Sequence, residues 1–122
     1  MSENFSTDPR STAEIIQLTI ATVDEDIYWD NVWILQARGS KEELIAASKL
    51  CESHDPKVRS LGVHILGQLG IPDRTLPQQC GDVLLKLLSI ETDSTVLAVI
   101  GIAFGNVKDP RGVLPLVKWK NH

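Results

Sequence analysis

At 122 residues the chain has material for one hydrophobic core, not two. Its 43% apolar and 23% charged residues are ordinary for a globular domain. Twelve Lys and Arg against sixteen Asp and Glu leave a formal net charge of −4, which argues against a nucleic-acid partner because attraction to phosphate backbones is weak.

Met1 to Arg10 are polar, with Pro9 near the end, and read as a flexible N-terminal arm (1–10) ahead of one folded domain (11–122). Ser11-Thr12-Ala13-Glu14 has the spacing of a capping box, in which Ser and Glu satisfy each other's nearby backbone donors. It opens a helix over about 12–23 with Ile15, Ile16, Thr19, Ile20 and Val23 on its apolar side. Asp24-Glu25-Asp26 then stands at a helix start, where the dipole favours negative charge; a specific acidic patch is the alternative. The helix that follows, over about 27–38, holds Tyr28, Trp29 and Trp33. Trp29 and Trp33 are one turn apart and share a face. Two readings stand side by side: the pair packs between the N-terminal capping helix and the first repeated unit, or it forms an exposed contact surface of the kind where Trp concentrates binding energy. Gly39 ends this helix. Ser40 and Glu43 form a second capping box, and the next helix, to about 52, turns Leu44, Ala47, Ser48 and Cys51 inward.

The run from Asp55 to Gly70 reads as one helix with its own start and stop. Asp55 caps, Pro56 takes the first helical position, and Gly70 ends the helix in the left-handed conformation ahead of Pro72. Val58, Gly62, Ile65, Leu66 and Leu69 share one face. Gly62 within it costs about 1 kcal/mol relative to Ala, which close approach of a neighbouring helix offsets. Cys80, Val83, Leu84, Leu87 and Leu88 make the stripe of a helix over about 76–90. Asp93 caps the next, where Val96, Ile100, Ala103, Phe104 and Val107 repeat the central spacing. Leu97, Val99 and Ile102 widen its apolar surface enough to predict burial all round. Asp109-Pro110 opens a last helix over about 110–120. Asp93, Val96, Gly105, Pro110, Leu114 and Pro115 each follow Asp55, Val58, Gly67, Pro72, Leu76 and Pro77 by 38 positions, and a unit recurring at such a period predicts a solenoid. Leu116, Val117 and Trp119 leave an apolar end, whereas a terminal repeat is normally polar outside. This predicts either further repeats beyond the C-terminal end or self-association through it.

Asp-Pro-x-Val-Arg at Asp55 to Arg59 and Leu-Gly-x-Leu-Gly at Leu66 to Gly70 resemble a HEAT repeat, in particular the short HEAT-like repeats of phycobilin lyase subunits and small bacterial HEAT-repeat proteins. The resemblance covers about 27–119. It implies an all-α, armadillo-like, right-handed α-α superhelix of about three helix pairs behind an N-terminal capping helix. It also implies that the second helix of each pair lines the concave surface. Applied to the helices over about 41–52, 76–90 and 110–120, this selects Lys41, Glu42, Lys49, Gln78, Gln79, Asp82, Lys86 and Lys118 as partner-binding candidates, beside Trp29 and Trp33. Asp55 and Arg59 read as a cap plus an inter-repeat tie; Gly70, Asp93 and Asp109 are structural. Leu97 stands where the ladder of such pairs would place a second Arg.

No catalytic constellation accompanies this architecture. His54, His64 and His122 form no metal-ligand pair, and His64 falls off the central apolar face, exposed or at a helix edge. Cys51 and Cys80 read as reduced core thiols, a disulfide being the minority alternative. Glycine-rich phosphate loops and nucleophile elbows are absent. No apolar run approaches the roughly 18 residues of a membrane span, and no signal peptide opens the chain, so the default expectation is a cytoplasmic protein. The reading is a non-catalytic scaffold for a protein partner of unknown identity, not an enzyme, with no cofactor. The alternatives are a bilin lyase-like subunit, a HEAT-like DNA glycosylase-type enzyme, and a toxin-neutralising immunity-like binding protein.

Overall fold

A computed structural model describes residues 8–70 and 75–107. Among these residues the chain forms six helices and no strand: α1 (Thr12–Ala21), α2 (Glu25–Arg38), α3 (Lys41–Leu50), α4 (Pro56–Gly67), α5 (Pro77–Ile90) and α6 (Ser94–Val107). The expected helix over 110–120, with Asp109 and Lys118, lies outside the described residues, as does the apolar end at Leu116, Val117 and Trp119.

Local chemistry sets most of the starts. Ser11 Oγ accepts from Glu14 N at 3.1 Å while Glu14 Oε1 accepts from Ser11 N at 3.2 Å. Asp24 Oδ1 accepts from the N–H groups of Asp26 and Ile27, Asp55 Oδ1 from Lys57, and Asp93 Oδ1 from Thr95 and Val96. Asp24, Asp55 and Asp93 thus open α2, α4 and α6 in the same way. Glu43 does more than cap α3. Its Oε1 accepts from both N and Oγ of Ser40, and its Oε2 accepts from Thr12 Oγ1 at 2.6 Å, which joins α3 to α1 through a buried carboxylate. Asp8 to Arg10, at the end of the expected arm, are held against α2: Arg38 Nη2 donates to the carbonyls of Asp8 and Arg10 at 3.1 and 2.7 Å. The hydrogen bonds from Arg10, with the nearby Arg38, hold the Asp8 carboxyl down at about 2.

The helices pack in pairs, α1 with α2, α3 with α4 and α5 with α6. The central α4 also lies against α2 and, most extensively, against α6. This differs from the expected pairing, in which α3 would be the partner of α2 and α5 the partner of α4. Gly62 supplies the physical reason. An added Cβ there would stand 2.7 Å from the carbonyl oxygen of Ala47 and 2.9 Å from Cys51 Sγ. With no side chain at Gly62 and small ones at Ala47 and Cys51, the α3 and α4 backbones approach closely, and this contact selects α3 as the partner of α4. Gly62→Ala is therefore expected to destabilise by about 2 kcal/mol through overpacking, although alanine is the better helix former. Chemical denaturation of the two chains checks the sign.

The core is built around Leu35, Leu61, Val63, Ile65, Leu66, Leu84, Val96 and Ile100, all fully buried. Leu61 and Val63 extend the buried surface of α4 beyond the single expected face, as its position between neighbours requires. Cys51 and Cys80 are free and buried, and burial pushes their thiols up to about 12 and 11. Ile102 departs from expectation: it is 67% exposed, so α6 is not covered all round.

Candidate functional site

α2 carries a stripe in which Asp26, Trp29, Asp30 and Trp33 follow one another at i, i+3, i+4 and i+7, and all four are exposed. The stripe arises because Asp24 fixes the helix start. That start commits Asn31, Val32, Leu35 and Gln36 to the interior and turns the other side outward. Trp29 and Trp33 are each 47% exposed. Both indoles are therefore half in water and not enclosed between elements.

The pair does not stand on α2 alone. The Trp29 ring meets His64 of α4 edge to face, with centroids 4.7 Å apart and planes at 72°, and meets Tyr28 at 5.0 Å and 81°. Tyr28 and His64 also contact each other edgewise at 6.2 Å. These are the offset geometries that aromatic quadrupoles favour. Burial pushes the Tyr28 phenol up to about 12 and holds the His64 imidazole below its ordinary value, which favours the neutral form of both rings. His64 is therefore a half-buried wall of the surface, neither a free ligand nor a core residue. Trp33, His64 and Ile102 lie at the same distance past their capping residues Asp24, Asp55 and Asp93, so the outward faces of α2, α4 and α6 share one register.

At the far end of α2 a hydrogen-bonded junction joins the same helices. Gln36 Nε2 donates to the His64 carbonyl at 2.8 Å, and Gly70 N donates to the Gln36 carbonyl at 2.6 Å. Thr75 Oγ1 reaches the Gly39 carbonyl at 2.5 Å. The α2–α4 contact that bears the aromatic surface is thus pinned at its base.

Arg59 is tied to a partner other than the expected Asp55. Asp55 uses its carboxylate as a cap, and Arg59 pairs with Glu91: Nε to Oε1 at 2.8 Å and Nη2 to Oε2 at 2.9 Å. Arg59 Nη1 donates to the Ser53 carbonyl at 2.9 Å, and Glu91 Oε2 also accepts from the N–H groups of Thr92 and Asp93. One ion pair thereby joins α4, the loop before it and the loop between α5 and α6.

The other candidates lie elsewhere. Lys41 and Glu42 are exposed in the first turn of α3 and Lys49 in its last; Gln78, Gln79, Asp82 and Lys86 are exposed along α5. They sit on the helices that pair with α4 and α6, away from the α2–α4 aromatic contact. Asp30 and His64, to which the sequence pattern assigns no site, border the tryptophans, Asp30 on the same exposed stripe and His64 against Trp29. The i, i+3, i+4, i+7 spacing from Asp26 to Trp33 was a readable signal for the first; nothing local pointed to the second. Among the described residues no group of three or more His, Cys, Asp and Glu side chains is placed to hold a metal ion, and no helix is long and apolar enough to cross a membrane. Compared with family models, curated proteins and solved structures, the chain matches none.

Proposed function

We propose that this chain is a HEAT-like helical-repeat module, a right-handed α-α superhelix that binds a protein partner and performs no chemistry of its own. The observation that carries the reading is the pair of half-exposed tryptophans on α2, one of which, Trp29, packs edge to face on His64 of α4. Rigid, partly packed aromatic side chains are the anchors in which interfaces concentrate binding energy. The repeated Asp-capped helices α2, α4 and α6, which share one outward register, support the superhelix. If the second helix of each pair lines the concave surface, the observed pairs assign that surface to α2, α4 and α6. The binding centre then moves from the α3 and α5 polar faces to the Trp29, Trp33 and His64 region.

The immobilised 122-residue chain is expected to capture a stoichiometric protein partner from the source cell. W29A/W33A should lose it, while K41A/E42A and Q79A/K86A keep it. Loss of capture in the α3 and α5 variants with retention in W29A/W33A would reverse the assignment. Melting curves of all three variants separate lost contact from lost fold.

A further inference from the structure

We propose that the exposed face of α6 pairs with the same face of a second copy of this chain. Two α6 helices cross antiparallel about a twofold axis, with Ile102 of each seated over Gly105 of the other. The inference goes beyond the partner reading and uses no residue of α2. It starts from composition. Each of α1 to α5 carries at least one charged side chain, whereas α6, Ser94–Val107, carries none. A helix so apolar is normally buried on every side. Here Ala98, Ile102 and Gly105, at i, i+4 and i+7, are exposed, Ile102 at 67%.

The equivalent stripe on α4 shows what such a face receives. Ser60, His64 and Gly67 precede Ala98, Ile102 and Gly105 by 38 positions. On α4 the stripe is covered: Ser60 and His64 are half-buried and Gly67 is buried. A Cβ added at Gly67 would stand 3.1 Å from Ala103 Cβ and 3.3 Å from Ala103 Cα of α6, so this glycine is the notch into which the neighbouring helix packs. On α6 the same notch is open, since a Cβ added at Gly105 meets nothing within 4 Å.

Charge and shape name the occupant. A face with charges of one sign repels its own image across a twofold axis; the α6 stripe presents no charge to its image. A twofold contact also needs a patch complementary to itself, in which residue i meets residue j and j meets i. Ile102 and Gly105 are a ridge and a notch three residues apart, neighbours on the helix surface. Reversing the direction of the second helix sets each ridge into the other's notch. One face thereby supplies both halves of the contact.

The test is analytical ultracentrifugation of the 122-residue chain from about 1 to about 200 μM. The native chain is expected to reach twice its 13.5 kDa at the upper end. I102K brings two like charges into an apolar contact, and G105L fills the notch; each should raise the dissociation constant at least about tenfold. Both positions are exposed, and leucine is a better helix former than glycine. G105L should therefore melt no lower than the native chain at about 1 μM while losing the dimer, which separates a lost contact from a lost fold. W29A, altered on α2, should dimerise as the native chain does. A single 13.5 kDa species at every concentration, growth past two copies, or a dimer kept by both I102K and G105L overturns the proposal. A dimer lost in W29A and kept in I102K also overturns it, by moving the contact to α2.

Discussion

Glu91→Ala should destabilise the fold by about 3 kcal/mol at neutral pH, because removing one partner of a buried ion pair strands the other. The Glu91 side chain is 2% exposed and that of Arg59 16%. The substitution also removes the acceptor for the Thr92 and Asp93 N–H groups that lead into α6. The doubly apolar R59M/E91L should recover much of the loss, since the desolvation of both charges disappears with the pair. The effect carries a pH signature. Desolvation pushes the Glu91 carboxyl up, but the Arg59 hydrogen bond and the backbone donors outweigh it and hold the group below its ordinary value. A carboxyl lowered in the fold contributes its full stability above the unfolded value, about 4.3, and loses it as pH falls through the lower folded value. The gap between the native chain and Glu91→Ala, measured by denaturation at several pH values, should be constant from pH 7 to about 5 and narrow below about 4.

Gly70→Ala should cost about as much, roughly 3 kcal/mol, from two sources. Gly70 has φ 81°, a left-handed conformation that costs an alanine about 1 kcal/mol or more. A Cβ there would also stand 2.5 Å from the backbone nitrogen of Thr75 and collide with its Oγ1, and overpacking against backbone costs about 1–3 kcal/mol. Thr75 cannot yield freely, since its N–H donates to the Leu69 carbonyl and its hydroxyl to that of Gly39. Melting temperature is the readout, and a fall of about 10 °C is expected. Because Gly70 N also donates to the Gln36 carbonyl, hydrogen exchange in Gly70→Ala should rise at the C-terminal turns of α2 and α4 before it rises elsewhere.

The features legible in the sequence were those decided within one turn of chain. Ser11 with Glu14, Asp24, Asp55 with Pro56, and Asp93 announce helix starts because the cap and the donors it satisfies are two or three residues apart. Gly70 takes the expected left-handed conformation, but α4 stops earlier, at Gly67 with Gln68 as its cap, so Gly70 shapes the turn that follows and does not end the helix. Which helix lies against which was not local. The pairing of α3 with α4 turns on Gly62 meeting the Ala47 carbonyl, a contact between residues 15 positions apart that no periodicity encodes. The ion-pair partner of Arg59 followed the same rule: Asp55 was near in sequence, but Glu91 is near in space. At the site, the i, i+4 spacing of Trp29 and Trp33 fixed a shared face and left its direction open. The buried Val32 and Leu35 decide that direction by claiming the opposite side. The ring of His64 belongs to that surface only because α4 lies against α2.

The central claim is that this protein meets its partner through the Trp29, Trp33 and His64 surface. Photo-cross-linking in the source cell tests it most directly, with the benzophenone amino acid placed at Asp30 in one chain and at Gln79 on α5 in another. The account predicts one discrete adduct from position 30, abolished by W29A/W33A, and none from position 79. An adduct from position 79 alone, or no adduct from position 30, would contradict it.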